Sequence, residues 1–557
     1  MSVEPPANLP PAAPAGRSAA RRDRAGSGFE HPLWFWLGAA ACVAGVLLHL
    51  PMYYDARSMH YVMAGMQPDA TMITGMVLIG LGLLAVLYGL VPFGSAEISR
   101  SAARIRVRAL DETPINRRHV GLLIVMALAV TIDVMKPTTL SFVAPGVAHE
   151  YGLKSPANPL GHTSVAWLPL VGISGTVIGS LIWGSLGDRI GRRASILFAG
   201  MLFVTTSICG AMPGFSWNLL MCLFMGIGAG GMLPITFTLM AESIPARHRG
   251  WLMVLIGGDI AGAYAITSWL AADLTPTYSW RILWLLGLPT GILFIALNHW
   301  IPESPRYLLA RGRAAEADAV MARYGARAEQ IPEAELEPAG AGARGSYAHL
   351  FGRPLIAPTL VIGVLGLGLG LVTYGFQQWV PTNLQHLGYS AVNSDYVVRD
   401  AALLGLPLTV LVAWMYGVWG SRKTIVTLCA LTALALLGFV VAGNNLAHER
   451  TLLSLLLVVP LSGVSSIVAV VAGYAAEVYP TRIRSRGTGL AAGMTKVGGV
   501  LILAVVVAAA HVPSIAATAA ISAVPLFLAA LLFLWVGPET RQRRLEEISG
   551  ELATVSG

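Results

Sequence analysis

Four ionisable side chains fall inside long apolar segments of the chain, where an uncompensated charge is expensive. They are Asp133, Lys136, Asp259 and Lys496. An ionised group near the middle of a bilayer costs several kcal/mol unless it is paired or faces water, so each is a candidate for binding a solute or a proton. Asp133 and Lys136 are three residues apart and share one face of a helix, where they could neutralise each other. Lys496 has no acidic residue three or four positions away, so we expect its counter-charge to come from another helix or from a solute.

The helix predicted around Asp133 also contains a proline. Pro137 leaves the carbonyl of Asp133 without its helical partner and can bend the helix, and two threonines follow it. A proline-interrupted helix with charges at membrane depth is typical of the wall of a transport cavity. We therefore hypothesise that Lys136 and Lys496 bind a small organic anion and that Asp133 carries a coupled proton. The alternative for this helix is an inert ion pair between its own two charges.

Other polar residues extend the set of candidates for the solute and proton pathway. Gln377 and Gln378 lie toward the outer end of a predicted helix, and Arg399 lies at the start of the next one, where it could be merely interfacial. A structural pair between Lys496 and Asp259 is a further alternative to a role in binding.

The composition is that of a membrane protein and not of an enzyme. Of the 557 residues, 55% are hydrophobic and 12% are charged, with a mean hydropathy of +0.66. The net charge of +8 lies in short connectors, which leaves no continuous basic face for a nucleic acid. The four cysteines lie in apolar segments without metal-ligand spacing. No nucleophile elbow, phosphate-binding glycine loop or histidine-rich spacing is present, so the sequence predicts no catalytic residue, no metal site and no cofactor.

Apolar runs long enough to cross a bilayer recur along nearly the whole chain. The sequence predicts fourteen transmembrane helices, at about residues 33–50, 71–92, 120–145, 164–186, 195–213, 217–240, 251–272, 281–300, 357–380, 397–419, 424–442, 452–476, 488–511 and 514–536. Basic connectors alternate with connectors poor in Lys and Arg, which predicts that both termini are cytoplasmic and that the protein is a multi-pass protein of the plasma (inner) membrane.

The domain organisation follows from these spans. We predict a disordered cytoplasmic tail, two additional transmembrane helices with a basic connector, a six-helix bundle, a cytoplasmic inter-bundle segment, a second six-helix bundle and a cytoplasmic tail, at residues 1–30, 31–118, 119–301, 302–355, 356–537 and 538–557. The expected partners are the lipid bilayer, a small-molecule solute and protons, and we expect a monomer.

An internal repeat indicates that the two bundles are homologous. Ala241-Glu242-Ser243-Ile244-Pro245 is echoed by Ala476-Glu477-Val478-Tyr479-Pro480, and Pro302-Glu303-Ser304 is echoed by Pro538-Glu539-Thr540. Trp183-Gly184-Ser185 recurs as Trp419-Gly420-Ser421, after which the second copy omits the Leu-Gly-Asp-Arg-Ile-Gly stretch and its acidic residue. Parallel repeats of this kind place a binding site between the halves, near the middle of the bilayer.

One charged motif gives the chain a family resemblance. The segment Gly184-Ser185-Leu186-Gly187-Asp188-Arg189-Ile190-Gly191-Arg192-Arg193 resembles the Gly-x-Leu-x-Asp-Arg-x-Gly-Arg-Arg loop between the second and third helices of the major facilitator superfamily. Pro302-Glu303-Ser304-Pro305-Arg306-Tyr307-Leu308 is similar to the corresponding run of the sugar-porter-like branch. The segment Tyr374–Thr382 instead resembles the metabolite and aromatic-acid proton symporters.

The resemblance implies an all-α fold of twelve helices in two bundles, here with two extra N-terminal helices, that works by alternating access. It also implies a cytoplasmic gate of charged and glycine residues: Gly184, Asp188, Arg189, Gly191, Arg192, Arg193, Glu242, Arg249, Glu303, Arg306, Arg422, Glu477, Arg484 and Glu539. In the family such networks hold the cytoplasmic side closed while the outer side is open. Topogenic charge alone is the alternative.

The expected function is secondary active transport, with proton-coupled symport of an organic anion or related metabolite as the main hypothesis. A neutral sugar or polyol symporter, an exporter of cationic drugs and a non-transporting sensor are the alternatives. Cys222 stands where sugar porters usually carry an arginine, four residues before the Gly226-x-Gly228 motif, which argues against a sugar.

Overall fold

The computed structural model is almost entirely helical. It describes residues 30–91, 105–106, 113–155, 158–311, 313–326, 329–330, 347–353, 355–442, 450–479, 483–509 and 514–540. The predicted tails, apart from Glu30 and residues 538–540, and most of the basic connector at 92–112 lie outside the described residues. So do residues 331–346 of the inter-bundle segment and the side chains of Asp188 and Arg306.

The described residues form fourteen helices long and apolar enough to cross a membrane, as predicted. In chain order, α1 to α14 are Pro32–Met59, Ala70–Leu90, Arg117–Glu150, Trp167–Ile190, Arg192–Ala211, Phe215–Ser243, Arg247–Tyr278, Ile282–Trp300, Ile356–His386, Ala391–Trp419, Ser421–Ala442, Thr451–Val478, Arg484–Ala509 and Ile515–Val536. Several extend beyond the predicted apolar runs because their charged ends continue the helix past the hydrocarbon region.

Two of the long helices depart from regular α geometry. Helix α9 contains a π-helical turn at Val372–Phe376, and α12 contains one at Val459–Gly463. Such turns are frequent at functional sites because they reorient the side chains that follow. Helix α3, in contrast, runs unbroken through Pro137 and Pro145 over 34 residues.

Helices α3 to α8 and α9 to α14 make up two bundles, and two helix pairs account for the most extensive packing between them. Helix α4 packs against α13, and α7 packs against α10. Small residues permit the first approach, since a Cβ added at Gly489 would lie 2.8 Å from the carbonyl oxygen of Ser180. In each pair, the second helix of one bundle packs against the fifth helix of the other. The two contacts are therefore equivalent under the repeat that the sequence predicts.

The two additional helices form a hairpin against the first bundle. Helices α1 and α2 pack on each other and on α5, where Leu197 and Met201 are fully buried in a shared apolar cluster. At the C-terminal end of α3, the backbone N–H groups of Met63 and Ala64 donate to Oε1 of Glu150, at 2.8 and 3.1 Å. The hairpin is therefore anchored to the bundle by both apolar packing and hydrogen bonds.

The Glu150 carboxylate that holds the hairpin is itself part of a buried ion pair. Arg281 Nη2 donates to its Oε1 at 2.6 Å, and Trp280 Nε1 donates to its Oε2 at 2.9 Å. The Arg281 side chain has no exposed surface. This cluster joins α3, the connector between α7 and α8, and the hairpin at one point.

The segment between the bundles contains short elements, in keeping with the predicted surface helices. Helices Pro305–Ala310 and Ala314–Arg323 are followed by Glu329–Gln330, which pairs antiparallel with Ile105–Arg106, and then by a 3₁₀ turn at Tyr347–Phe351. Ser304 caps the first of these helices by accepting the N–H of Tyr307.

Two sequence-based expectations about the repeat are wrong. Residues 184–190 are not a loop but the last turns of α4, and Gly191 alone separates α4 from α5. Gly191 has φ +103° and Gly420 has φ +98°, and each starts the following helix. Gly420 is therefore the structural counterpart of Gly191 and not of Gly184, which only shares its sequence context. The equivalent of Asp188 is then Gly417, so the second half lacks the acidic residue without lacking a stretch of chain.

Candidate functional site

A small cavity lies between the two bundles, about midway along the helices. It has a volume of about 70 Å³. Helices α3, α6 and α7 of the first bundle and α9, α12 and α13 of the second form its wall. Its polar lining residues are Asp133, Thr138, Tyr264, Thr373, Tyr374, Gln377, Gln378, Ser465, Thr495 and Lys496. The cavity is thus bounded by both halves of the repeat, as expected for a major-facilitator binding site.

Asp133 and Lys496 bring opposite charges to the cavity from opposite bundles. They are close enough to interact electrostatically, but they form no salt bridge within 4.0 Å. Asp133 is 5% exposed, and its Oδ1 is buried without a hydrogen-bond partner among the described residues. The site therefore contains charged groups that are not fully satisfied by the protein.

Tyr374 is the hydrogen-bond partner of Lys496. The ammonium donates to the Tyr374 hydroxyl at 2.9 Å and lies 5.6 Å from the centre of the ring. Gly499 makes this contact feasible, because a side chain at that position would collide with the Tyr374 ring. Tyr374 is not among the site residues predicted from the sequence. The feature of the sequence that could have indicated it is its place in the family segment Tyr374–Thr382.

The two adjacent glutamines differ in their bonding. Gln377 Nε2 donates to the carbonyls of Pro460 and Leu461, at 2.7 and 3.2 Å, in the π-helical turn of α12. Gln378 is 2% exposed, and its Nε2 has no hydrogen-bond partner in the described structure. Gln377 thus holds α9 against α12, whereas Gln378 has a donor available to a solute.

Lys136 does not line the cavity, contrary to the prediction of two lysines around one anion. Its ammonium lies 6.0 Å from the centre of the Phe203 ring and close to Gly287, inside the first bundle. It also makes no ion pair within 4.0 Å to Asp133, so the predicted neutralisation along one helix face is wrong. Three residues correspond to about 300° around the axis of an α-helix, so the side chains of Asp133 and Lys136 point about 60° apart. This angle is large enough for Asp133 to face the cavity while Lys136 faces the core of the bundle.

Two other predicted pathway residues lie outside the cavity lining. Asp259 accepts a hydrogen bond from Thr131 Oγ1, and it makes no ion pair with Lys496. Arg399 pairs with the neighbouring Asp400 at 2.6 Å and lies 4.4 Å from the centre of the Tyr396 ring. Helix α10 begins at Ala391, so Arg399 lies about two turns inside the helix, and the predicted position at its start is wrong.

The predicted gate residues meet at the opposite end of the bundles from Glu150, and two of their contacts cross between the bundles. Glu242 of α6 and Arg484 of α13 form an ion pair of 3.7 Å, with both side chains fully buried. Arg249 of α7 lies within electrostatic reach of Glu477 of α12. Because each glutamate precedes the arginine of its own half by seven residues, the two contacts are reciprocal across the repeat.

Contacts within each bundle support these cross-bundle pairs. Arg192 Nε lies 3.3 Å from Glu242 Oε2, and Ser304 Oγ donates to that oxygen at 2.5 Å. In the second bundle, the Tyr416 hydroxyl donates to Glu477 at 2.8 Å. Glu242 is thus held from three sides, which fixes it for the contact with Arg484.

Gly191 and Gly420, the two glycines with positive φ that precede α5 and α11, each lie against a glutamate of the repeated Pro-Glu motif. Glu303 accepts the N–H of Arg192 at 2.8 Å, and Glu539 accepts the N–H of Ser421 at 2.8 Å. Each carboxylate therefore caps the N-terminus of the helix that follows the glycine. Burial raises the pKa of the Glu303 carboxyl, although the N–H donors from Ser304 and Arg192 oppose the shift.

The remaining gate residues take varied positions. The backbone carbonyl of Arg189 accepts from Tyr307 and Arg311, Arg193 donates to Asn298 at 2.7 Å, and the N–H of Arg422 donates to Glu539 at 3.2 Å. Gly184 lies against the Ser485 carbonyl of α13, where an added Cβ would come within 3.0 Å. The side chains of Asp188 and Arg306 lie outside the described residues.

No group of three or more His, Cys, Asp or Glu side chains in the described part of the chain is arranged to hold a metal ion.

The architecture is shared with solved transporters of the major facilitator superfamily. The proton:xylose symporter XylE bound to 6-bromo-6-deoxy-D-glucose superposes with a TM-score of 0.64 at 19% identity, covering 78% of this chain and 99% of that one. An inward-open structure of the xylose transporter XylE from E. coli gives 0.55 at 18% identity, with coverage of 78% and 99%. At this identity the likeness shows the fold alone, and that fold is the one of the major facilitator superfamily.

The family is defined by sequence. Residues 142–552 match the family model described as "Sugar (and other) transporter", and the chain belongs to this family. The niacin transporter NiaP of Acinetobacter baylyi is 27% identical over 452 residues, which cover 79% of this chain and 99% of that protein. The 4-hydroxybenzoate transporter PcaK of the same organism is 25% identical over 405 residues, covering 70% and 85%. The protein is therefore a membrane transporter of small-molecule solutes.

Proposed function

We propose that this protein is a proton-coupled symporter of a small organic anion, with a small aromatic carboxylate as the favoured substrate class. The observation that carries the proposal is the arrangement of Lys496 in the central cavity. Its ammonium has a tyrosine hydroxyl as hydrogen-bond partner, and no carboxylate of the described residues lies within ion-pair distance. An incoming carboxylate would supply that counter-charge in a site of low dielectric, where a charge-assisted hydrogen bond is strong.

The placement of Asp133 opposite Lys496 gives a physical route to proton coupling. While Asp133 is ionised, it offsets the positive charge of Lys496 from the other bundle and so competes with a substrate anion. Protonation of Asp133 removes this competition and leaves Lys496 with a net positive field. Binding of the proton and of the anion therefore support each other, and the pair carries no net charge through the membrane.

The walls of the cavity favour a small, flat anion. Tyr264 and Tyr374 line it together with Val464, Val468 and Leu233, so most of the surface is aromatic or aliphatic. Such walls bury an aromatic ring, and a carboxylate on that ring can reach Lys496. The names of two relatives agree with this class, since niacin and 4-hydroxybenzoate are both small aromatic carboxylic acids.

A neutral hydroxylated solute is the second candidate. The unpartnered Nε2 of Gln378 faces the same cavity and could donate to a hydroxyl group, and the fold is that of a xylose symporter. The two candidates differ in their dependence on Lys496, because a neutral solute does not need a counter-charge.

Counterflow in proteoliposomes tests the proposal. Vesicles loaded with unlabelled nicotinate, 4-hydroxybenzoate or xylose are diluted into the labelled solute, and wild type is compared with Lys496→Ala. We expect exchange of a carboxylate by wild type and a loss of about 10-fold to 100-fold in Lys496→Ala, the value of one charge-assisted hydrogen bond. Lys423→Ala, at an exposed lysine of α11, is the matched control and should exchange at the wild-type rate.

The outcomes separate the candidates. Carboxylate exchange that is equal in wild type and Lys496→Ala would contradict the proposed anion site. Exchange of xylose alone, independent of Lys496, would favour the neutral solute. Binding of a carboxylate without any exchange would indicate a sensor.

A further inference from the structure

A second cavity, with several polar side chains in its lining, lies at the end of α3 opposite the predicted gate. Its volume is about 520 Å³, and we call it the outer vestibule. It is lined by Ala144, Pro145, Ala148, His149, Ser155, Asn158, Val165, Thr382, Gln385 and His386. One bundle supplies His149 and the other supplies His386, so the vestibule, like the central cavity, lies between the two halves.

The vestibule lies directly above the central cavity on the same face of α3. Val134, Pro137 and Thr138 line the central cavity. The residues eleven positions after each of them, Pro145, Ala148 and His149, line the vestibule. Eleven residues make slightly more than three full turns of an α-helix, so the two sets share one face and are separated by roughly 16 Å along the helix.

A polar stripe on α9 connects the two cavities. Gln378 lines the central cavity, and Thr382, Gln385 and His386 line the vestibule at four, seven and eight positions further on. These spacings lie on one helix face. Thr382 is 8% exposed, and its hydroxyl, like Nε2 of Gln378, has no hydrogen-bond partner among the described residues. Buried polar groups are rarely left unsatisfied, so this stripe is suited to a polar ligand that passes along it.

We propose that His149 and His386 form a capture site for the carboxylate of the substrate, which the anion occupies before it enters the central cavity. The inference rests on the proposed function and extends it to the entry step. A protonated imidazole donates charge-assisted hydrogen bonds to a carboxylate, and histidine is the side chain whose charge responds to pH in the physiological range. A histidine from each bundle can therefore hold the substrate anion in the vestibule. The positive charge of protonated imidazoles also raises the local concentration of anions and their rate of entry.

Apart from the two histidines, no ionisable side chain of the described residues, the Arg399–Asp400 pair of α10 included, lines the vestibule. Glu150 follows His149, but its two oxygens accept hydrogen bonds from Arg281, Trp280 and the hairpin backbone. Lys154 lies in the connector after α3 and adds a positive charge. Asp395 of α10, which packs against the outer end of α9, is buried and is not part of the lining. No carboxylate of the described residues lines the vestibule.

The first test measures the Michaelis constant for nicotinate uptake at outer pH 5.5 and 8.0 with a fixed inner pH. We expect the double variant His149→Gln/His386→Gln to raise KM about threefold to tenfold at pH 5.5, with kcat unchanged, and to match wild type at pH 8.0. The variant His149→Lys/His386→Lys keeps the charge at both pH values and should lower KM at pH 8.0. His162→Gln, at an exposed histidine of the same outer connector that does not line the vestibule, is the control.

Outcomes of this test separate capture from a structural role. An equal rise in KM at both pH values, or no response to the lysine variant, would overturn the proposal. A structural role of the histidines would lower kcat at both pH values and would not be rescued by lysine.

A binding measurement distinguishes failure of the capture site from failure of the proposed function. The 19F NMR line width of 4-fluorobenzoate is followed with purified Lys496→Ala protein, in which the central anion site is removed. We expect broadening at pH 5.5 that is lost at pH 8.0 and in the His149→Gln/His386→Gln background. Such broadening without carboxylate transport by wild type would leave the capture site standing and refute the proposed function, whereas absence of histidine-dependent broadening would refute the capture site.

Discussion

The reciprocal charge contacts between the bundles allow a quantitative test of the predicted gate. Glu242 and Arg484 lie 3.7 Å apart with fully buried side chains. With an effective dielectric constant of about 20, two unit charges at this distance attract each other by about 4.5 kcal/mol. The cost of removing both charges from water offsets much of this energy, so we expect the pair to favour the inner-closed conformation by about 1–3 kcal/mol.

Glu242→Gln removes one charge of the pair and retains the shape of the side chain. The population ratio of inner-open to inner-closed protein should therefore rise by about 5-fold to 150-fold. The ratio is measured by double electron–electron resonance between spin labels at Arg118→Cys and Lys423→Cys, two exposed positions at the inner ends of the two bundles. The four native cysteines are buried, so labelling is expected at the introduced ones.

The control for this prediction is a glutamate of an exposed pair. Glu316 pairs with Arg313 at 2.6 Å on the surface of the inter-bundle segment, with side chains about one-third exposed. Surface pairs contribute little, so Glu316→Gln should leave the distance distribution unchanged. An unchanged distribution in Glu242→Gln as well would refute the assignment of these charges to the gate and would favour the topogenic alternative.

Three further predictions follow from single contacts. Gly191→Ala should lower the free energy of unfolding by about 2 kcal/mol, measured by thermal denaturation in detergent, because φ is +103° and the new methyl group meets Glu303. Glu303→Gln should reduce the pH dependence of stability: since burial raises the pKa of this carboxyl above 4.5, its contribution is largest below pH 4.5 and declines as the pH rises through the raised value. Glu150→Ala should speed hydrogen exchange at the amides of Met63 and Ala64 by at least about 10-fold, because both lose their acceptor.

Each of these predictions has an outcome that contradicts it. A stable Gly191→Ala protein would show that the turn between α4 and α5 tolerates a side chain. A Glu303→Gln protein with the wild-type pH profile would place the titrating group elsewhere. Unchanged exchange at Met63 would show that the hairpin is held by apolar packing alone.

The fold was largely predictable from the sequence because the bilayer constrains it. Each span needs about twenty apolar residues, and that requirement leaves a strong periodic signal along the chain. The offset of about 235 residues between the two Ala-Glu motifs was sufficient to predict homologous halves. The turn at Gly191 was not predictable, since a helix that continues through a charged motif has the same composition as a loop.

The candidate site was predicted only in part. Asp133 and Lys496 were selected because charges at membrane depth are costly, and both line the cavity. Lys136 was selected by the same argument. The sequence does not show which face of α3 is turned toward the cavity, so it could not predict that Lys136 faces Phe203 instead. Tyr374 was missed because a tyrosine in an apolar helix has no distinctive pattern, and its role depends on the approach of Gly499 from another helix.

The central claim is that Asp133 and Lys496 together couple a proton to an organic anion. The most direct measurement is nicotinate accumulation driven by a pH gradient in proteoliposomes, with the membrane potential clamped by valinomycin and potassium. Wild type should accumulate nicotinate at any clamped potential, because the proton and the anion carry no net charge together. Asp133→Asn should lose accumulation and retain counterflow, since the amide mimics a permanently protonated carboxyl. Accumulation by Asp133→Asn at the wild-type level would contradict the account.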